Sequence, residues 1–367
     1  MSKTTRAFIF LSILFALTVN AFSQSGRAVP TPTPDAIEKV ATEEIKLNVL
    51  AFDQNDNFVK DLKPEDLVIN EDGRLHQPAS VRRIPANVLL VLDVGNEISY
   101  AKRNQTTAET ARALVNALQP NDTVAVMQYG DKVDVLSDWT REKAQVLQVL
   151  NERKLGFGKR SVFVEAMNRA LEFFDRTPLE NRHLILISDG VDSFNDSAAR
   201  GAVTRKLLSS DINVHVISYT KLQQDAVQSL LKTKSTPQQI NLPPGAEPPG
   251  SKNIPPRVPI GTVINLDREM INKRKQDAAR LKASEVYLTT IAEDTNGEIF
   301  LPDSTEEMID KTARLAKTID SQYVVTYIPK RPLNEATGGE VRIIEATSRR
   351  PGLSVQGRRK FIVANAR

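Results

Sequence analysis

The amino-acid sequence predicts an α/β protein: a doubly wound, mostly parallel sheet flanked by helices, with small β sections from both chain ends. Three observations predict it. Between Asn87 and Gln322, near-continuous apolar runs alternate with amphipathic helical segments, the pattern of strands buried on both faces. On either side, short alternating runs broken by turn residues read as antiparallel strands. The balance of 40% hydrophobic to 26% charged residues fits a soluble globular protein, and 367 positions suit two modest domains or one large one with additions. Aromatic residues make up only 5%, so the core is expected to be mostly aliphatic.

The elements follow in chain order. Lys3 and Arg6 precede the apolar run Ala7 to Val19, and Ala21-Phe22-Ser23 follows it. This is a basic region, a hydrophobic region too short to span a bilayer, and a small-x-small cleavage site, so residues 1–23 read as a signal peptide. Residues 24–42 are a Pro/Thr-rich linker, expected to be extended. Residues 43–86 form an N-terminal β section. Its strands are EIKLNVLAFD and EDLVINEDGR, the second closing on a Glu-Asp-Gly hairpin signal, with ASVRRI as a third.

Residues 87–322 form the α/β domain. ANVLLVLDV is a buried strand, and residues 99–118 a helix with Ala108, Ala111, Leu114, Val115 and Leu118 on one stripe. DTVAVMQYG and KVDVLSDW are strands around a Gly-Asp turn. A helix over 141–153 carries Val146, Leu147 and Leu150. After the loop KLGFGKR comes a helix over 161–176 that Ser161 is expected to cap. RHLILISD is a strand ending on Asp189, residues 196–210 a helix, and INVHVISYT a strand. A Pro-rich insert at about 234–262, with a PxxP pattern at Pro256 to Pro259, interrupts the rhythm. A charged amphipathic helix over 267–290, the strand GEIFLP and a helix over 304–319 complete the domain. Ser304 or Thr305 caps the last helix, with Glu306 and Glu307 in its first turn. Residues 323–367 form a C-terminal β section of QYVVTYIP, GEVRIIEAT and RRKFIVAN, expected to pack with 43–86.

Composition excludes several functions. The net charge of +4 falls to +2 without residues 1–23, which hold two basic and no acidic residues. RRIPA, NKRKQ and GRRK are short basic clusters without interleaved aromatics, the mark of solvated faces and not of nucleic-acid binding. With no cysteine, disulfides, cysteine zinc sites, thiol catalysis and a lipid-anchoring cysteine are all excluded. His76, His183 and His215 are the only histidines. His215 lies inside an apolar strand and His183 opens another, so both read as structural. No nucleophile elbow, phosphate loop or HExxH occurs, and the chain is not expected to be an enzyme.

In an open α/β sheet, ligands bind at the carboxyl edge of the strands, near the switch in strand order. Three segments bring oxygen-bearing side chains there: Asp93-Val-Gly95-Asn-Glu97, Ser161 after the glycine loop, and Asp189-Gly190 with Asp192 beyond. Such oxygens suit a hard cation. The order LLVLDVGNE, GKRSVFVEAM, LILISDG resembles the von Willebrand factor A domain. With the flanks NVLAFDQNDNFVKDLKPEDLVINEDG, LTTIAEDTNGEIFLP and YVVTYIP…VRIIEA…RRKFIVA, the chain is similar to the bacterial VWFA-related group of exported proteins.

The resemblance implies a metal ion-dependent adhesion site built from a D-x-S-x-S loop, a threonine and a further aspartate. Asp93 and Asp189 match the two aspartates. Gly95 stands at the first serine, Glu97 at the second, and Ser161 keeps the hydroxyl of the threonine. The implied ligands are Asp93, Glu97, Ser161 and Asp189, around one divalent cation, Mg²⁺ or Mn²⁺. Three converging carboxylates repel without a cation, by about 1 kcal/mol or more per close pair. Either a modified site holds the ion, or the site is retired and Glu97 points into water. In the family a partner's carboxylate fills the ion's open position. The implied function is an exported, periplasmic or secreted, protein-binding module with a protein partner, no nucleic acid and no membrane span after signal removal. The alternatives are a structural component of an envelope assembly with a non-functional metal site, and a metal-dependent hydrolase.

Overall fold

The computed structural model describes residues 44–152, 155, 156, 158–232 and 260–364. The expected signal peptide, the linker and the PxxP pattern lie outside them. The described chain runs β1 (Ile45–Phe52), β2 (Leu67–Glu71), β3 (Arg74–His76), β4 (Ser80–Arg82), β5 (Asn87–Asp93), α1 (Asn104–Ala117), β6 (Thr123–Tyr129), β7 (Val133–Thr140) and α2 (Lys143–Glu152). It continues with α3 (Phe163–Asp175), β8 (Arg182–Ser188), α4 (Ser197–Leu208), β9 (Asn213–Ser218), α5 (Thr220–Lys232), α6 (Ile260–Asp294) and β10 (Ile299–Phe300). Last come α7 (Thr305–Asp320), β11 (Tyr323–Tyr327), β12 (Val341–Ser348), β13 (Ser354–Gln356) and β14 (Arg358–Ile362).

The central sheet has six strands in the order β10-β9-β8-β5-β6-β7. All pairs are parallel except β6 with β7, which form an antiparallel hairpin. The apolar runs explain this. In β5, β6 and β8 only the first residue is not fully buried, and β9 is buried throughout, as strands covered on both faces must be. Helices α3, α4 and α6 pack on one face around Phe163, Phe174, Leu207 and Leu288. Helices α1, α2 and α7 pack on the other around Leu114, Leu150, Met308 and Leu315. Strand order departs from β5 in both directions: β6 lies on one side and β8 on the other. The switch point is therefore between the carboxyl ends of β5 and β8, which carry Asp93 and Asp189.

The chain ends form two further four-stranded sheets, β13-β1-β11-β4 and β14-β12-β2-β3. Each mixes strands from both ends: β1 pairs with β11 and β2 with β12. Leu47, Val49, Leu67, Ile69, Val325, Tyr327 and Ile344 fill the core they share. Between β2 and β3, Asp72 and Gly73 both have positive φ, the backbone of a two-residue hairpin turn that matches strand twist. β14 is tied to the α/β domain by Arg359. This fully buried guanidinium donates to Asn213 Oδ1 and to the carbonyls of Thr295, Ser210 and Ile212.

Some elements differ from expectation. The helix read over 99–118 begins only at Asn104, and the helix read over 267–290 spans Ile260–Asp294. Ser304 caps α7 by accepting from the Glu307 amide, as read. Ser161 does not cap α3. That helix starts at Phe163 after Val162, whose side chain makes no capping bond. A carboxylate from a distant loop takes the role: Asp192 Oδ2 accepts from the Val164 amide at 2.9 Å.

His183 and His215 form a stacked, fully buried pair on neighbouring strands. His215 Nδ1 accepts from the Glu298 amide, so its Nε2–H donates to His183 Nδ1 at 3.1 Å, and His183 Nε2–H donates to Asn181 Oδ1. Asn48 of β1 donates to the same oxygen, which links the relay to the outer sheets. Every ring nitrogen is committed, and neither ring has a place for a second proton. Burial accordingly pushes His215 from 6.5 down to about 3, and burial together with the neighbouring ring pushes His183 well down. Depressed folded-state values give stability that is full above the unfolded value of 6.5. It is lost as pH falls toward the folded value, by up to about 1.4 kcal/mol per pH unit per histidine. The melting temperature should thus fall from pH 6.5 toward pH 4. The double variant His183→Gln/His215→Gln should show a shallower slope over that range in a calorimetric pH series. An equal slope would contradict the relay's role.

Candidate functional site

Asp93 ends β5, and Asp189 directly follows β8, at the switch point. Both carboxylates are fully buried. Between them lies a third charge that the sequence reading did not assign. Lys102, in the loop between β5 and α1, places Nζ 3.1 Å from Asp93 Oδ1 and 3.3 Å from Asp189 Oδ2. Its side chain is only 2% exposed.

The remaining lone pairs are met by a fixed set of donors. Asp93 Oδ1 also accepts from the Gly95 amide, and Oδ2 from Ser188 Oγ. That hydroxyl in turn accepts from Tyr129 Oη–H and from the Gly190 amide. Asp189 Oδ1 accepts from the Val191 amide, and Oδ2 from Gln223 Nε2 at 2.6 Å. Gln223 also holds the Lys102 loop, donating to the Ile98 carbonyl and accepting from the Tyr100 amide. Burial pushes the Asp93 carboxyl up to about 6; the Lys102 charge opposes this and the Asp189 charge adds to it. Burial alone would lower Lys102, but the two carboxylates outweigh it and hold the ammonium above its ordinary value.

The other two expected ligands lie apart from this pair. Glu97 does not join Asp93 and Asp189. Its Oε1 accepts from Arg280 Nη1 and its Oε2 from Ser193 Oγ, both at 2.8 Å. Partial burial would raise its carboxyl, yet these bonds and the Arg280 charge hold it below the ordinary range. Ser161 is fully buried against Gly95, and its Oγ has no hydrogen-bond partner among the described residues. A Cβ at Gly95 would lie 2.0 Å from Ser161 Oγ and 2.5 Å from the Arg160 carbonyl. The family's serine therefore has no room at position 95 in this backbone.

The face is also covered from above. Arg280 of α6 donates to the Asp192 carbonyl as well as to Glu97, and Ser284 of α6 donates to the Asp189 carbonyl. Asp277 of α6 accepts from Tyr100 Oη. Leu281 packs with Ile98, Val191 and Val227.

These residues do not fit a bound divalent ion. An ammonium already stands between the two carboxylates, Gly95 supplies no side-chain ligand, and Glu97 is committed to Arg280. Among the described residues no group of three or more His, Asp or Glu stands as a metal-holding set. Sequence reasoning missed Lys102 because residues 99–103 were read as the first turn of α1. The available signal was the basic pair Lys102-Arg103, shortly after an acidic strand end that lacked a counter-charge.

Gly95→Ala should destabilise the fold by about 1–3 kcal/mol through overpacking against Ser161. Ser161→Gly in the same chain should recover part of that loss. Chemical denaturation of the two single variants and the double variant measures the coupling, and purely additive effects would contradict the contact.

Residues 88–191 match the family described as von Willebrand factor type A domain. No curated protein matches the chain. Among solved structures, it is similar to a von Willebrand factor type A protein from Catenulispora acidiphila, at 10% identity over 89% of this chain and 75% of that one, with a TM-score of 0.42. It is also similar to the conserved hypothetical protein BatB from Bacteroides thetaiotaomicron, at 23% identity over 36% of this chain and 66% of that one, with a TM-score of 0.29. A third is proximal thread matrix protein 1 from the mussel byssus, with a zinc-occupied adhesion motif. It is 17% identical over 38% of this chain and 37% of its own, with a TM-score of 0.32. The family match thus covers the stretch from β5 to just past β8, whose strand order sets Asp93 and Asp189 side by side.

Proposed function

We propose that this chain is an exported protein-interaction module of the von Willebrand factor A type whose binding needs no divalent cation. One observation carries the reading: the buried Lys102 ammonium between Asp93 and Asp189. In the family's cation-assisted mode, a partner's carboxylate completes the ion's coordination. Here the positive group is sealed under the Ile98 to Arg103 loop and Gln223, out of a partner's reach. Contact then falls to other surface: the Pro-rich insert, the outer sheets, and the rim of the same face.

On that rim Phe194 is 63% exposed. Its loop is braced by Asp192 Oδ1, which accepts from the Phe194 and Asn195 amides. The Arg160 guanidinium lies 5.7 Å from the ring centroid. An aromatic on a pre-braced loop beside an arginine has the composition of an interface anchor, with little ordering left to do on binding.

The case against catalysis is that the groups able to move protons are spent. His183 and His215 are locked in their relay. His76 donates to the Arg74 carbonyl and accepts from the Lys330 amide. Export rests on the pattern of residues 1–23. The second reading, a structural component of an envelope assembly, draws on the same sealed site and differs in predicting a permanent complex.

Titration calorimetry of the chain from Gln24 onward should give no saturable heat with Mg²⁺ or Mn²⁺. Saturable heat that Asp189→Ala abolishes would refute cation independence. Cross-linking in envelope extracts should capture the same partner in EDTA and in Mg²⁺, and Phe194→Ala should weaken that capture about tenfold. Capture that survives only in Mg²⁺ would also refute the reading. Reversible capture favours an interaction module, and co-purification through every step favours the structural component.

A further inference from the structure

We propose that His76 is an acid-sensitive latch: a proton added at its Nε2 exchanges the Lys330 amide for the Glu71 carboxylate and loosens the segment from Lys330 to Ala336. The inference concerns the outer sheets and is independent of the proposed function.

The tautomer fixes where a proton can go. His76 of β3 is only 4% exposed. Its Nδ1 lies 2.9 Å from the Arg74 carbonyl, which can only accept, so Nδ1 carries the hydrogen. Its Nε2 accepts from the Lys330 amide at 3.0 Å. The same nitrogen lies 3.4 Å from Glu71 Oε2 of β2. That oxygen is buried and has no donor among the described residues. Buried polar atoms are ordinarily satisfied, and this one lies beside the one ring atom that can gain a proton.

The charges around the ring favour the same step. Three carboxylates, on Glu71, Asp72 and Glu340, are held by two guanidinium groups, on Arg331 and Arg342. One negative charge is left over. Arg74 and Lys330 are exposed and carry their charges into solvent. Tyr327 of β11 packs edge-on against the ring, with centroids 5.1 Å apart. Burial and the Glu71 charge push its hydroxyl up, so it stays neutral. An imidazolium at His76 balances the cluster and gives Glu71 Oε2 a charge-assisted bond. His183 and His215 lack this arrangement, since their ring nitrogens meet only each other, the Glu298 amide and Asn181.

A ring nitrogen that carries a hydrogen cannot accept, so the Lys330 amide then loses its partner. Arg331 remains bound to Asp72 and Glu340, and its carbonyl to Arg342. The segment therefore loosens without leaving. Further along it, Leu333, Asn334 and Ala336 line a cleft of about 930 Å³, which Leu171 of α3 and Asp211 also line. The latch thereby couples that wall of the cleft to pH, as histidines in proteins that sense acidity do.

Two nuclear magnetic resonance measurements on the wild-type protein test this at pH 7.5 and pH 5. The ring ¹⁵N shifts of His76 should pass from the neutral Nδ1–H tautomer to the imidazolium. Over the same interval the hydrogen-exchange protection of the Lys330 amide, corrected for the intrinsic rate, should fall about tenfold relative to the Leu186 amide of β8. The Leu186 amide reports global opening, including that caused by the His183 and His215 pair. His76→Gln should abolish the difference between the two amides. A ring still neutral at pH 5 overturns the proposal. So does a charged ring with Lys330 protection that only follows Leu186, or a difference that persists in His76→Gln. If that variant does not fold, the two wild-type measurements decide alone.

Discussion

The arrangement of this domain's upper face depends on a single electrostatic constraint: two aspartates buried at the ends of adjacent parallel strands must share one counter-charge. In a parallel sheet the strand ends at the switch point lie side by side whatever residues they carry, so the proximity of Asp93 and Asp189 follows from topology. At about 4 Å, two like charges repel by about 4 kcal/mol even at an effective dielectric constant of 20. The fold meets this with Lys102. The loop from Val94 to Arg103 takes the path that delivers that side chain, and Gln223 of α5 holds the loop in place while also bonding Asp189.

Other departures from the family's site follow from the same choice. With the charge balanced from within, Glu97 is free to turn outward, where Arg280 and Ser193 bind it. Gly95 lets the Asp93 loop approach Ser161 more closely than any side chain at 95 would permit. Helix α6 then lies across the Asp189 loop, burying Leu281 and Leu288. The polar groups of this face are largely satisfied by the chain's own residues, and Phe194 stands exposed at its rim.

Most of the fold was legible because burial on two faces and on one face leave different periods in the sequence. The runs VLLVLD and HLILIS read as central strands; the first ends on Asp93 and the second is followed directly by Asp189, the acidic residues that define the site. What remained hidden was tertiary. Ser161 has the right chemistry and position for a helix cap, but Asp192 reaches the Val164 amide from a loop 28 residues away. Lys102 stands before a good helical stripe and was absorbed into it, because the stripe's first turn carries no periodic signal. Glu97 was assigned by its place in a motif, yet its partner Arg280 lies 183 residues further on. The histidines were recognised as structural from their apolar strands, but their contact depends on the stagger between β8 and β9, which no local pattern encodes.

The outer sheets have a consequence for how the molecule is made. β1 pairs with β11, and β2 with β12, so neither sheet can form until almost the whole chain is available. Pairings of such long sequence separation close slowly, because the loop entropy is lost before the contacts repay it. The α/β domain can condense first, from contacts within its own span, and then carry the two ends to within reach of each other. Until that moment Leu47, Val49, Leu67 and Ile69 remain without their cover, and the N-terminal strands are open to pairing with the wrong neighbour. The topology thereby makes the joining of the two chain ends the pairing of longest sequence separation in the fold.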